Sequence, residues 1–140
     1  MDEPLIAVVD RVRSLPGLRF AVLFGSVATG RAGRGSDLDV ALSFDPSAQP
    51  TFEEQLAVAA ELSLGAGRDV DLVVLEEAGT VLRREVARNG RLLWERDRGA
   101  FLRFRCAVAG EWEDFAPVLE VCRRGFLEAV GRRGGVDGAG

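Results

Sequence analysis

The chain of 140 residues contains no histidine, no lysine and no tyrosine. Without histidine there is no Ser-His or Cys-His nucleophile pair, no imidazole base and no His-ligated metal. Without lysine there is no Schiff base and no P-loop lysine. All eighteen basic residues are arginine. The two cysteines, Cys106 and Cys122, lie sixteen residues apart in a segment that reads as helical, with no metal-ligand spacing, and are read as small apolar residues. No run approaches the ~20 apolar residues of a membrane span. The N-terminus MDEPLIAVVD lacks the basic n-region of a signal peptide, so a cytoplasmic protein without membrane attachment is expected. The net charge of −4 speaks against direct nucleic-acid binding. The remaining chemistry is that of carboxylates, hydroxyls, arginines, backbone N–H groups and a metal held by oxygen.

What is present fits a single domain, with 47% hydrophobic residues to fill a core. Helical spacing marks Pro4 to Leu15. Apolar runs mark strands over Leu18–Phe24, Asp37–Phe44 and Val70–Leu75. Thr51 with Glu54 reads as a capping box opening a helix from Phe52 to about Leu64. Thr80 to Arg88 reads as a further helix, Arg91 to Trp94 as a short fourth strand, and Asp97 to about Val130 as helical, with a break at Gly110 or Pro117. Strands separated by helices give an expected fold class of α/β (α+β), built on a small β-sheet, with a C-terminal helical extension. One domain over residues 1–131, its sheet within 18–94, is expected, with a disordered tail over 132–140.

Between the first two strands runs Gly25-Ser26, then ten residues, then Asp37-Leu38-Asp39. On a strand, Asp37 and Asp39 share one face, with Leu38, Val40 and Leu42 on the other. The apolar face packs in a core, so the carboxylate face must be open or filled by something that wants negative charge. Two carboxylates ~7 Å apart repel each other in low dielectric, and a divalent cation removes that cost. The third strand repeats the pattern at Asp69 and Asp71. If it lies beside the second, Asp71 joins Asp37 and Asp39, and three carboxylates facing a cleft suit two Mg²⁺ ions ~4 Å apart. A glycine after a strand admits close backbone approach, and the N–H groups of the next turn together with the Ser26 hydroxyl suit phosphate oxygens.

The pattern GS-x10-D-x-D resembles the signature of the polymerase-β-like nucleotidyltransferase superfamily, and the short chain resembles its minimal branch. The segment GRDVDLVVLEEAGTVLRREVARNGRLLWERD is similar to the part of those proteins that carries the third acid. The resemblance implies a polymerase-β-like fold, a small mixed β-sheet flanked by helices with the acids on adjacent strands, together with two Mg²⁺ ions and transfer of AMP from ATP with release of pyrophosphate. By the same resemblance Gly25, Ser26 and Ser36 hold the nucleotide. Asp37, Asp39 and Asp71 carry catalysis and the metals, with Asp69 as the rival third acid. Arg31, Arg34 and Arg68 are candidates to neutralise phosphate. Many proteins of this kind are antitoxins that modify a tyrosine of a HEPN-domain ribonuclease toxin, which makes such a toxin the expected partner. An enzyme with a small-molecule acceptor and a non-enzymatic toxin-blocking module are the alternatives. The stripe with Trp112, Phe115 and Phe126 is a candidate docking surface or part of the domain's own core.

Overall fold

In the computed structural model, residues 2–30, 37–111 and 124–125 are described. Helix α1 spans Glu3–Val12, followed by β1 at Leu18–Phe24, the short α2 at Gly25–Ala28 and β2 at Leu38–Phe44. Then come α3 at Phe52–Ala66, β3 at Val70–Val74, α4 at Thr80–Asn89, β4 at Arg91–Glu95 and α5 at Ala100–Ala109. The expected C-terminal stripe, Cys122 and the 132–140 tail lie outside the described residues.

The sheet order is β3-β2-β1-β4. β1 runs antiparallel to β2 and β4, while β2 and β3 are parallel. The sheet is therefore mixed, as the family resemblance implies. β1 is central and covered on both faces, which explains its unbroken apolar run LRFAVLF. Phe20, Val22 and Phe24 face α4 and α5, while Ala21 and Leu23 face α1 and α3. The alternation slips between Leu18 and Phe20, where the register shifts, so Leu18 also joins the α1–α3 side.

Local signals set the helix ends. Pro4 sits in the first turn of α1, which ends at Val12, three residues before the expected Leu15. The capping box of α3 is formed: the Glu54 N–H donates to Thr51 Oγ1 at 3.1 Å, and the Thr51 N–H donates to Glu54 Oε1 at 2.8 Å. Gly67 closes α3 at φ 67°. Glu95 binds the first turn of α5, accepting from the Gly99 and Phe101 N–H groups at 3.0 and 3.2 Å.

The second core is aromatic. Phe20 is fully buried, with ring centroids 5.5 Å from Phe101 and 5.6 Å from Phe104. It joins the sheet to α5 through one side chain. Phe20→Ala leaves a ring-sized void between them and should lower stability by about 3–5 kcal/mol in urea unfolding. A loss below about 1 kcal/mol would show that α5 is not held by this contact.

Candidate active site

The acids gather through strand register. β1 ends opposite β2 with Phe24 paired to Asp39, and β3 lies beside β2 with Asp71 paired to Asp39. Asp39 therefore stands between the end of β1 and the edge strand. Asp37 precedes β2 by one residue and is exposed; Asp71 is exposed, and Asp39 is half-buried. Both parallel strands bring their N-terminal ends here.

The carboxylate face of β2 is open only at this end. Ala41 and Ser43 follow Asp39 on the same face, yet both are buried. Ala41 packs with the α4–α5 core, and the Ser43 hydroxyl donates to Glu76 Oε2 at 2.6 Å. The carboxylate face, expected to be open or filled by something that wants negative charge, is thus open at Asp39 and covered by apolar packing beyond it. Helices cover both faces, and the acids occupy the rim where that cover stops.

Asp39 carries the electrostatic load. Its carboxyl is pushed above the usual carboxylate range, first by burial, then by the charges of Asp71 and Asp37 and a hydrogen bond with Asp71. Asp69 is not among the groups acting on it. The Asp69 carbonyl accepts from the Leu38 N–H at 2.9 Å, so this residue serves the strand pairing through its backbone, one step before β3. Of the two rival acids, Asp71 is the one that meets Asp39.

Gly25 meets Asp39 from the other side. Its φ is +75°, a region that disfavours side chains. A Cβ there would overlap Asp39 Oδ2 and stand 3.1 Å from Asp39 Cγ. Any side chain at position 25 would displace the central carboxylate. Gly25 also opens α2, whose N-terminus has no side-chain cap, and the adjacent Ser26 is exposed. The turn is tied by Thr29, which the sequence reading did not single out. Its hydroxyl donates to the Gly25 carbonyl at 3.3 Å and the Ser26 carbonyl at 3.2 Å. A threonine four residues after the glycine is the signal that could have found it. Ser36, Arg31 and Arg34 lie outside the described residues, and Arg68 is half-buried just before β3.

The donor set is oxygen only, which suits a hard divalent cation. Among the described residues no three His, Cys, Asp or Glu side chains form a complete metal cage. Mg²⁺ commonly takes one or two protein carboxylates and completes its shell with water and substrate phosphates. The Asp37–Asp39–Asp71 row, with its unrelieved repulsion at Asp39, fits an ion bound in that shared way.

Such a small mixed sheet, with a glycine-led turn against a row of carboxylates, defines a class of domain made to bring an anion and a cation together. The family model "Polymerase beta, Nucleotidyltransferase" matches residues 8–99, and the chain belongs to that family. Protein adenylyltransferase MntA of Shewanella oneidensis is 36% identical over 85 residues, which cover 58% of this chain and 57% of that protein. The chain thus matches little more than half the length of that relative. Protein adenylyltransferase MntA of Aphanizomenon flos-aquae is 29% identical over 102 residues, covering 67% of this chain and 68% of that protein. A crystal structure described as a toxin–antitoxin with AMP-PNP superposes with a TM-score of 0.68 at 27% identity, covering 93% of this chain and 98% of that one.

The raised Asp39 group makes a signed prediction. A carboxyl whose folded pKa lies above its unfolded value costs stability once pH exceeds both, and costs nothing below both. Metal-free Asp39→Asn should therefore melt above the wild type at pH 7, with the gap closing as pH falls through the raised value of Asp39 and gone below the unfolded value of 3.8. Millimolar Mg²⁺ with an ATP analogue should raise the wild-type melting temperature and not that of the variant. Equal melting curves at pH 7 would remove the repulsion from the account.

Proposed function

We propose that this protein is a Mg²⁺-dependent adenylyltransferase that moves AMP from ATP onto a hydroxyl of a protein, acting as the antitoxin to a HEPN-domain ribonuclease toxin. The acceptor is a toxin tyrosine, and the working compartment is the cytoplasm. The observation that carries the reading is the single register that places Gly25, Asp39 and Asp71 side by side. Family membership, the two adenylyltransferase relatives and the toxin–antitoxin structure with an ATP analogue support it.

In this reading Gly25 lets the backbone approach the triphosphate, and the N–H groups of the α2 turn with the Ser26 hydroxyl bind its oxygens. Ser36 adds a contact to the nucleotide. Asp37, Asp39 and Asp71 would hold two Mg²⁺ ions. When bound, the metal would supply Lewis-acid stabilisation of charge developing on the transferred phosphoryl group and the leaving pyrophosphate. Asp71, at the open edge, accepts the proton of the acceptor hydroxyl as its oxygen attacks the α-phosphorus and the bond to pyrophosphate breaks. An acid that faces solvent on one side and Asp39 on the other is well placed for that part.

The test is transfer of label from α-labelled ATP to a purified HEPN-domain toxin, in parallel with a desalted host lysate. A Mg²⁺-dependent labelled band is expected. Asp37→Asn or Asp39→Asn should lower the rate about a thousandfold or more, roughly 4 kcal/mol of transition-state stabilisation. A folded Asp39→Asn protein that transfers at the wild-type rate would refute the assignment. ATP turnover with no protein labelled would turn the acceptor into a small molecule.

A further inference from the structure

Two hollows adjoin the edge strand. One, of about 220 Å³, is lined by Phe52, Gln55, Leu56 and Ala59 of α3 and by Val70, Asp71 and Leu72 of β3. The second, of about 380 Å³, lies further along and is lined by Phe44, Pro50 and Val58 among others. Gln55 and Leu72 line both, so the two hollows adjoin in one groove-like surface. Asp71 lines the smaller hollow from β3 while its carboxylate stands with Asp39 on the sheet's other face, so the width of one edge strand separates the hollow from the acid row. At the strand rise of ~3.3 Å per residue, Leu42 and Phe44 in the larger hollow lie ~10–17 Å along β2 from Asp39.

The groove is apolar where a surface should be polar. Phe52 is 71% exposed and Leu56 55%, one helical turn apart. Its rim is acidic: Glu53 and Glu54 occupy the first turn of α3, and Glu77 holds the Gln55 amide at 3.1 Å. The strand beneath adds a third feature. Because the Leu38 N–H bonds the Asp69 carbonyl, the parallel ladder turns the backbone of Asp71 and Val73 toward β2 and that of Leu72 outward. Among the described residues β3 has no strand partner on its outer side.

We propose that this α3–β3 groove seats the acceptor protein: a basic segment that inserts an apolar anchor side chain and reaches round the exposed edge of β3 to bring its hydroxyl to Asp71. The inference rests on the protein-adenylyltransferase reading and adds where the partner binds. A ribonuclease must carry a cationic surface to hold RNA. That surface is the electrostatic complement of the glutamate rim, so docking here also screens it from RNA. A second copy of this chain would bring the same glutamates and meet like charge.

Transfer kinetics with the purified HEPN-domain toxin test it. Phe52→Ser with Leu56→Ser should raise KM for the toxin tenfold or more, leaving kcat and ATP affinity within about twofold. Glu53→Lys with Glu77→Lys should weaken binding and flatten its salt dependence. Leu64→Ser, on the same helix outside the groove and 87% exposed, should change nothing. Without any groove substitution, adding toxin to the Asp39→Asn protein should slow amide hydrogen exchange over residues 52–59 and at Leu72. Groove variants with the wild-type KM, or no protection in that exchange, would overturn the docking site while the transferase reading stood. A wild type that binds ATP but labels no protein would overturn the reading beneath it.

Discussion

Everything at the rim of this sheet depends on one carboxylate held between two strands. Among the described residues β2 is the only strand with one antiparallel and one parallel neighbour, and Asp39 is its first residue in register on both sides. Slipping β2 by one position would turn Asp39 into the α1–α3 core and Val40 onto the rim. The buried run of Leu38, Val40, Leu42 and Phe44 forbids that slip, because each of these fills the core beneath α1 and α3. Apolar packing thus enforces an electrostatically unfavourable arrangement. A ligand that brings positive charge converts the same arrangement into an affinity.

The glycine beside Asp39 shows how the two halves of the site are fitted to each other. Gly25 is needed for its positive φ at the start of a turn and for the absence of a Cβ where the carboxylate stands. Either requirement alone would select glycine. Together they couple the glycine turn to the acid row, so that a shift of one displaces the other. Thr29 reaches back to the carbonyls of the turn's first two residues and removes much of its remaining freedom.

Much of this was legible in the residue order. The strand limits at Leu18–Phe24, the capping box at Thr51 and the alternating acids all follow from side-chain period and backbone preference. The mixed sheet and the pairing of Asp39 with Asp71 rested on placing β3 beside β2. Nothing local decides that, and the family resemblance supplied it. Two features escaped. Alternation in DLDVALSF reads as one dry face and one wet face, but Ala41 and Ser43 are small enough to be covered by a second helical layer. Phe52 and Leu56 read as ordinary helix positions, because a low-contrast helix such as FEEQLAVAAELSLGA does not reveal which of its apolar residues stay in water.

β3 has a further consequence for how the chain behaves at high concentration. A bare strand edge is a template on which another chain can extend a sheet, and proteins commonly guard such edges with shortness and charge. β3 has only five residues, and Asp69 and Asp71 stand at its start. The acid that meets Asp39 therefore also repels a second sheet, and neutralising it removes that guard.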